Sequence, residues 1–175
     1  MRELADAERI GRLIRGLAAA ADRETRIYFT GGATAVLLGW RAATIDADIL
    51  ILPESDRILR AIPELKETLR INVELASPAH FIPELPGWSE RSPLIAREGR
   101  VSFHHYDLYA QALAKIERGH RQDKEDVREM LSRGLVEPER LRAYYEQIEP
   151  QLHRFPALDP RSFRRSLEQA LASSS

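Results

Sequence analysis

Two glycines and two aspartates stand close together in the sequence, at a spacing suited to phosphate and metal chemistry. Gly31-Gly32 follow the run RIYFT, and Asp46 and Asp48 open the run DADILIL. Alternate strand residues share one face, so the two aspartates would project side by side from backbone positions about 6–7 Å apart. Such carboxylates repel each other unless a cation lies between them, and Mg²⁺ binds through one or two carboxylates plus substrate phosphates. The pair therefore predicts a Mg²⁺ site; the alternative is a solvent-facing strand start with two acids by chance.

The glycine pair is predicted to form a phosphate-binding turn between a strand and a helix. Glycine permits a tight backbone turn, and the start of the following helix favours an anion. A plain strand–helix turn is the alternative, since the sequence has neither a P-loop lysine nor a G-x-G-x-x-G fingerprint here. Together, glycines and aspartates predict one site that holds a triphosphate and its metal, which is what phosphoryl transfer requires.

Composition excludes several other classes of protein. The 175 residues are 43% hydrophobic and 30% charged, with a net charge of −1 and no cysteine. Bulk electrostatic binding of nucleic acid is therefore not expected, and disulfides, cysteine-based metal centres and thiol nucleophiles are ruled out. The opening residues lack the apolar segment of a signal peptide, and no run approaches the ~18 apolar residues of a membrane span. We expect a cytoplasmic protein that does not associate with membranes.

The periodicity of apolar residues predicts the elements that position these side chains. Strands are expected at 26–30, 46–52 and 71–76, and a hairpin over 94–106 that turns at Glu98-Gly99. Helices are expected over 3–21 (with Leu4 on its apolar face), 33–40, 53–70, 107–118, 122–133, 137–149 and 160–172. This pattern predicts an α+β (α/β) fold, with a small mixed sheet and flanking helices over 1–106 and a helical C-terminal half over 107–175.

Local signals add detail to this prediction. Ser55 is a predicted N-cap, and Pro63 is expected to kink or split its helix. The segment 77–93 contains four prolines and is predicted to be a long structured loop. We expect it to pack its apolar side chains on the core, or alternatively to act as a lid or as a docking surface for a partner. Those side chains are Phe81, Ile82 and Trp88.

Adjacent histidines at 104 and 105 fall on a predicted strand. His104 and His105 should therefore point to opposite faces and cannot easily share a metal ion.

The order of glycines and aspartates resembles the signature of the nucleotidyltransferase superfamily, which has a polymerase β-like fold. Thr30-Gly31-Gly32 is followed, after thirteen residues, by Asp46-Ala47-Asp48. The run GWRAATIDADI is most similar to small bacterial nucleotidyltransferase-like proteins of the DUF6036 type. These in turn are similar to the AbiEii-type toxins of type IV toxin–antitoxin systems. The resemblance covers residues 25 to about 133.

The resemblance implies further site residues near the aspartates. A third carboxylate on a following strand would complete the metal site and help to activate the acceptor hydroxyl, and Glu74 is the candidate, with Val73 and Leu75 facing the core. The alternative is that Glu74 is a strand-edge residue in solvent. Relatives often carry an arginine and a threonine before the aspartates, which implies nucleotide-binding roles for Arg41 and Thr44. Arg41 would meet a phosphate, unless it is an ordinary surface arginine.

A downstream helical pattern of the AbiEii-like proteins resembles LAKIERGHRQDKEDVREML, in which Lys115, Arg118, Asp123 and Asp126 match. The resemblance implies that Lys115 neutralises charge on the leaving pyrophosphate. Asp123 and Asp126 lie on one helix face and would orient that lysine or contact the nucleotide. Alternatively, these charges are solvated or simply favour a helix N-terminus.

The implied function is Mg²⁺-dependent transfer of a nucleoside monophosphate from an NTP to an RNA end, such as that of tRNA, or to a protein hydroxyl. The implied setting is the toxin of a toxin–antitoxin pair, with a separately encoded antitoxin as partner. Two alternatives stay open. One is a non-catalytic relative that binds an NTP or a partner, and the other is a nucleotidyltransferase that modifies aminoglycoside antibiotics.

Overall fold

The computed structural model describes residues 3–174, which form two compact units. The first unit contains residues 3–77 and 92–106, and the second contains 78–91 and 107–174. The proline-rich segment thus groups with the C-terminal helices, although the sequence pattern suggested a single boundary between residues 106 and 107.

The first unit is a five-stranded sheet with helices. Its strands are β1 (Thr25–Thr30), β2 (Asp46–Leu52), β3 (Asn72–Leu75), β4 (Leu94–Glu98) and β5 (Val101–His105), and its helices are α1 (Ala7–Ala20), α2 (Gly32–Leu38) and α3 (Asp56–Leu69). The strand order is β3-β2-β1-β5-β4. Strand β1 is antiparallel to β2 and parallel to β5, β2 is parallel to β3, and β4 and β5 form a hairpin. The predicted α+β class and mixed sheet are confirmed.

One face of this sheet carries the core of the first unit. In β2, Ala47 and Ile49 are fully buried and Ile51 is nearly so, because alternate residues of the strand face the core together with side chains of α1 and α3. Ser55 is the N-cap of α3, as predicted, and its Oγ accepts a hydrogen bond from the Ile58 backbone N–H at 3.3 Å. Helix α3 continues through Pro63 as one element, so it is not split. A proline removes one backbone hydrogen bond, and burial of the helix face compensates for that loss.

Two residues predicted to face the core are exposed instead. Leu4 is 62% exposed because it precedes α1, which begins at Ala7. Leu75 is 54% exposed, whereas Val73 is buried as predicted. Strand β3 is an edge strand that ends at Leu75, so no further core surface covers this side chain.

The second unit is helical. Its helices are α4 (Trp88–Arg91), α5 (Leu108–Arg118), α6 (Arg121–Ser132), α7 (Pro138–Ile148) and α8 (Pro160–Ala172), with short 3₁₀ helices at Pro78–His80 and Glu149–Arg154. The four longer helices occupy the predicted positions. In the proline-rich segment Ile82 is buried, Trp88 is half-buried and Phe81 is 50% exposed, so the expected packing of Phe81 is wrong. No helix within residues 3–174 is both long and apolar enough to cross a membrane.

Candidate active site at one end of the sheet

Asp46 and Asp48 lie where β2 begins, beside the end of β1. Because the two strands are antiparallel, Thr30 pairs directly with Asp48. The intervening Ala47 is completely buried, while both aspartates are half-buried on the opposite face. A slip of one residue would bury the acids and expose the core residues, so the hydrophobic pattern fixes the orientation of the carboxylates. The chain thus presents two acids on one face at a strand end.

The glycine turn packs directly against Asp48. Gly31 has φ +65° and ψ −134°, a conformation that favours glycine. A Cβ atom at this position would lie 2.9 Å from Asp48 Oδ2, closer than ordinary packing allows. The absence of a side chain at Gly31 therefore lets the carboxylate approach the turn. The structure brings these two predicted features together.

The loop between α2 and β2 brings Arg41 and Thr44 to the same turn. A Cβ atom at Gly32 would lie 2.0 Å from Thr44 Oγ1 and 2.9 Å from Arg41 Nη1. The Thr44 hydroxyl donates to the Asp46 carbonyl at 3.1 Å. Paired backbone hydrogen bonds between Thr44 and Ala5, of 2.7 and 2.9 Å, attach this loop to the chain before α1. Gly32 is therefore required for close approach of the loop, and an arginine side chain lies beside the turn.

Strand β3 adds Glu74 and an unpredicted residue, Asn72. In the parallel pairing of β2 with β3, Asn72 lies opposite Asp46 and Glu74 lies opposite Asp48. The Asn72 side-chain amide donates to Asp46 Oδ1 at 2.6 Å and to Glu74 Oε1 at 3.0 Å. Asn72 thus holds two of the carboxylates through one neutral group. The only sequence signal for Asn72 was its position two residues before Glu74 on the same strand face.

We refer to Asp46, Asp48, Glu74 and Asn72 as the acidic edge. Within residues 3–174, no three His, Cys, Asp or Glu side chains are arranged as a ready-made metal site. The donor set does fit Mg²⁺ held by one or two carboxylates, with its remaining ligands supplied by water and substrate phosphates. Asp46 and Asp48 offer those carboxylates, whereas the amide of Asn72 connects Glu74 to Asp46.

The family of this chain follows from comparison with protein-family models. Residues 8–169 match the model of DUF6036, described as a nucleotidyltransferase of unknown function. The chain belongs to the DUF6036 family. Neither a curated protein nor a solved structure matches it. Most of both units falls within the match, including every predicted site residue.

In this DUF6036 protein, a buried histidine anchors the helix that follows the glycine turn. His105 Nδ1 lies 3.0 Å from the hydroxyl of Thr34 in α2. Burial lowers the pKa of His105 to about 4, so the imidazole is neutral at pH 7. His104 stacks on Tyr28 instead, which confirms that the two histidines face opposite ways. The His105–Thr34 contact was not predicted, because it joins residues far apart in the sequence.

Lys115, Arg118, Asp123 and Asp126 belong to the second unit of the DUF6036 fold, where they form what we call the α5–α6 ion network. Lys115 Nζ donates to Asp126 Oδ2 at 2.7 Å and lies 3.8 Å from Asp123 Oδ1. Arg118 donates two hydrogen bonds to Asp123, of 2.8 and 2.6 Å. The side chains of Lys115, Asp123 and Asp126 are 8%, 1% and 0% exposed. Both aspartates thus lie against Lys115, and their predicted roles stay predictions.

The charges of the α5–α6 ion network balance one another. Burial by itself would raise the pKa of Asp123, but the Arg118 guanidinium, with help from Lys115 and the His120 backbone N–H, holds that pKa below its ordinary value. The network therefore pairs two basic side chains, Lys115 and Arg118, with two acidic ones, Asp123 and Asp126. Asp123 Oδ2 also accepts from the His120 N–H at 3.2 Å, which helps to begin α6.

Proposed function

We propose that this protein is a Mg²⁺-dependent nucleotidyltransferase that transfers a nucleoside monophosphate from an NTP to a hydroxyl of RNA or protein. The observation that carries the proposal is the contact of the Asp48 carboxylate with Gly31, beside Asp46. It supports a single site for a cation and a triphosphate. Membership of a family described as nucleotidyltransferase supports the same reaction class.

Each residue of the acidic edge would have a distinct role in this reaction. Asp46 and Asp48 would hold Mg²⁺, and the bound ion would neutralise the negative charge of the phosphates. The backbone of Gly31 and Gly32 would face the phosphates, with Arg41 beside them and Thr30 and Thr44 shaping the turn. The acceptor oxygen attacks the α-phosphorus, the bond to the β-phosphate oxygen breaks and pyrophosphate leaves. Glu74, positioned by Asn72, would take the proton of the acceptor hydroxyl.

The role of the second unit in catalysis stays a prediction. Lys115 would offset the charge of the leaving pyrophosphate, with Asp123 and Asp126 orienting it or contacting the nucleotide. Its contact with Asp126 supports the orienting part of this prediction. Because two aspartates already balance its charge, a catalytic Lys115 would have to exchange partners during the reaction.

The experiment is a transfer assay with α-labelled NTPs, Mg²⁺ and total RNA, with casein and an aminoglycoside in parallel reactions. We expect label on RNA or protein with the wild type and a loss of at least about 100-fold in Asp46→Asn and Asp48→Asn. Asp22→Asn, which removes an exposed carboxylate of the same unit, is the matched control and should retain activity. Label on the aminoglycoside alone would mean that the acceptor is an aminoglycoside and neither RNA nor protein. Equal labelling by wild type and both edge variants would refute the assigned site.

A non-catalytic relative is the second candidate, and one observation favours it. Asn72 donates to both Asp46 and Glu74, so a neutral side chain already connects these two carboxylates. Such a protein would bind an NTP and form no product in the transfer assay. In that case Asp48→Asn should weaken NTP binding even though no activity exists to be lost.

The toxin role is a further part of the proposal and is supported by the resemblance to AbiEii-type proteins. Induced expression in a bacterial host should arrest growth, and a co-expressed product of an adjacent antitoxin gene should relieve the arrest. If the Asp48→Asn variant arrests growth at an equal protein level, the toxicity does not depend on the proposed nucleotidyl transfer.

A further inference from the structure

A cavity of about 340 Å³ lies between α5, α6 and α8 of the second unit. This volume is at the lower end of the ~300–1,000 Å³ range of small-molecule sites. None of the residues of the acidic edge lines it. The acidic edge is therefore not part of this cavity, and of the residues given a role in the proposed nucleotidyl transfer, Lys115 lines it.

The inner wall of the cavity is apolar, with hydrogen-bonding groups around it. Ile116 and Val127 are 5% and 3% exposed, and Leu131 and Ala170 complete the apolar surface. Ser132, Ser166 and Gln169 contribute hydroxyl and amide groups. An apolar surface with a few convergent polar groups is typical of a site for a small organic molecule.

Two cations of α6, Lys124 and Arg128, also line the cavity. They are four residues apart and so lie on the same helix face, where like charges destabilise a helix slightly. Within residues 3–174 neither side chain has a hydrogen-bond or ion-pair partner, whereas the neighbouring Arg121 and Arg133 are paired with Glu125 and Glu129.

The charge of the lining is therefore positive. The described residues that line the cavity include no acid, and the third lining cation, Lys115, is already paired with Asp126. An anionic group between Lys124 and Arg128 would relieve their mutual repulsion and complement the cavity wall.

We propose that this cavity binds a small organic anion, with an apolar body against Ile116 and Val127 and a phosphate or carboxylate between Lys124 and Arg128. The shared chemistry is an apolar body with an anionic head. A nucleoside monophosphate and an aromatic or aliphatic carboxylic acid both satisfy it. The site is independent of the acidic edge.

The first test uses 1-anilinonaphthalene-8-sulfonate, a fluorescent aromatic anion, with the full chain. We expect saturable binding that weakens about 10-fold or more in the double variant Lys124→Ala/Arg128→Ala. A second variant, Ala170→Phe, fills the cavity without altering charge and should also abolish saturable binding. The matched control Arg121→Ala/Arg133→Ala removes two cations of the same region and should bind as the wild type does. Thermal unfolding of each variant checks that it is folded.

Competition then identifies the ligand class. Displacement of the probe by nucleoside monophosphates, but not by octanoate or indole-3-acetate, would assign the phosphate class, and the opposite result would assign the carboxylate class. Failure of both classes to displace the probe, or equal probe binding by the charge, filling and control variants, would overturn the proposal. Asp48→Asn should leave probe binding unchanged, so this test and the test of nucleotidyl transfer fail separately.

Discussion

The acidic edge and the α5–α6 ion network contain similar side chains in opposite electrostatic settings. The edge gathers three carboxylates and joins Asp46 to Glu74 through the neutral amide of Asn72. The network buries two carboxylates but supplies two cations to them, Lys115 and Arg118. Buried charges that are paired within the protein connect α5 to α6, and removal of one partner leaves the other uncompensated. Partly exposed acids that a neutral amide connects are suited to an external cation, and they contribute little to folding.

The largest expected loss of stability follows from neutralising one carboxylate of the α5–α6 ion network. Asp126→Asn should lower the free energy of unfolding by about 3 kcal/mol, because it removes the closer of the two carboxylates that pair with the buried Lys115 charge. Urea denaturation measures this effect. The double variant Lys115→Met/Asp126→Leu should recover much of the loss, since it removes both charges of this pair and leaves Asp123 paired with Arg118. A decrease below about 0.5 kcal/mol in Asp126→Asn would mean that the network does not stabilise the fold.

Acid should affect the buried His105 and the α5–α6 ion network over different pH ranges. His105 has a folded-state pKa of about 4, below its ordinary 6.5, so the unfolded chain binds the proton first as the pH falls. Stability should therefore decrease between about pH 6.5 and 4, by up to about 3 kcal/mol, and this dependence should level off below pH 4.

The pKa of Asp123 is lowered in the folded state, so this carboxylate stabilises the fold above the ordinary pKa of Asp. That stabilisation is lost as the pH falls below the ordinary Asp range, which is more acidic than the range expected for His105. His105→Gln should flatten the decrease between pH 6.5 and 4, and the exposed His153→Gln should not. Urea denaturation at several pH values measures both. An unchanged profile in His105→Gln would exclude His105 as the cause.

A smaller effect is expected at the glycine turn. Gly31→Ala should lower the free energy of unfolding by about 2 kcal/mol, because alanine is strained at φ +65° and its Cβ would press on Asp48. Gly99 also has a positive φ but has open space around it, so Gly99→Ala is the matched control for backbone strain alone. Equal losses in the two variants would show that the approach of Asp48 is unimportant.

The smallest effect on stability is expected at the acidic edge. Asp46→Asn should change the free energy of unfolding by less than about 1 kcal/mol, since the new side chain still accepts from Asn72 and loses a like-charge repulsion. The same variant should lose nucleotidyl transfer. A loss of stability as large as that of Asp126→Asn would mean that Asp46 stabilises the fold. The acidic edge and the α5–α6 ion network would then not differ in this respect.

Local patterns were sufficient to predict much of the first unit. The Ser55 cap, the β4–β5 hairpin and the shared face of Asp46 and Asp48 each depend on residues close together in the sequence. The contacts that were missed are non-local. Asn72 meets Asp46 only because β3 pairs with β2 in one register, and His105 meets Thr34 only because β5 lies beside β1. The exposure of Leu75 likewise depends on strand order, which one-dimensional periodicity does not contain.

Binding of a fluorescent NTP to the wild type and to Asp48→Asn, with and without Mg²⁺, tests the central assignment most directly. We predict Mg²⁺-dependent binding to the wild type and to Asp22→Asn, and at least about a 10-fold weaker affinity in Asp48→Asn. Binding that is equally tight in all three proteins, whether or not Mg²⁺ is present, would contradict a cation-and-triphosphate site at the acidic edge.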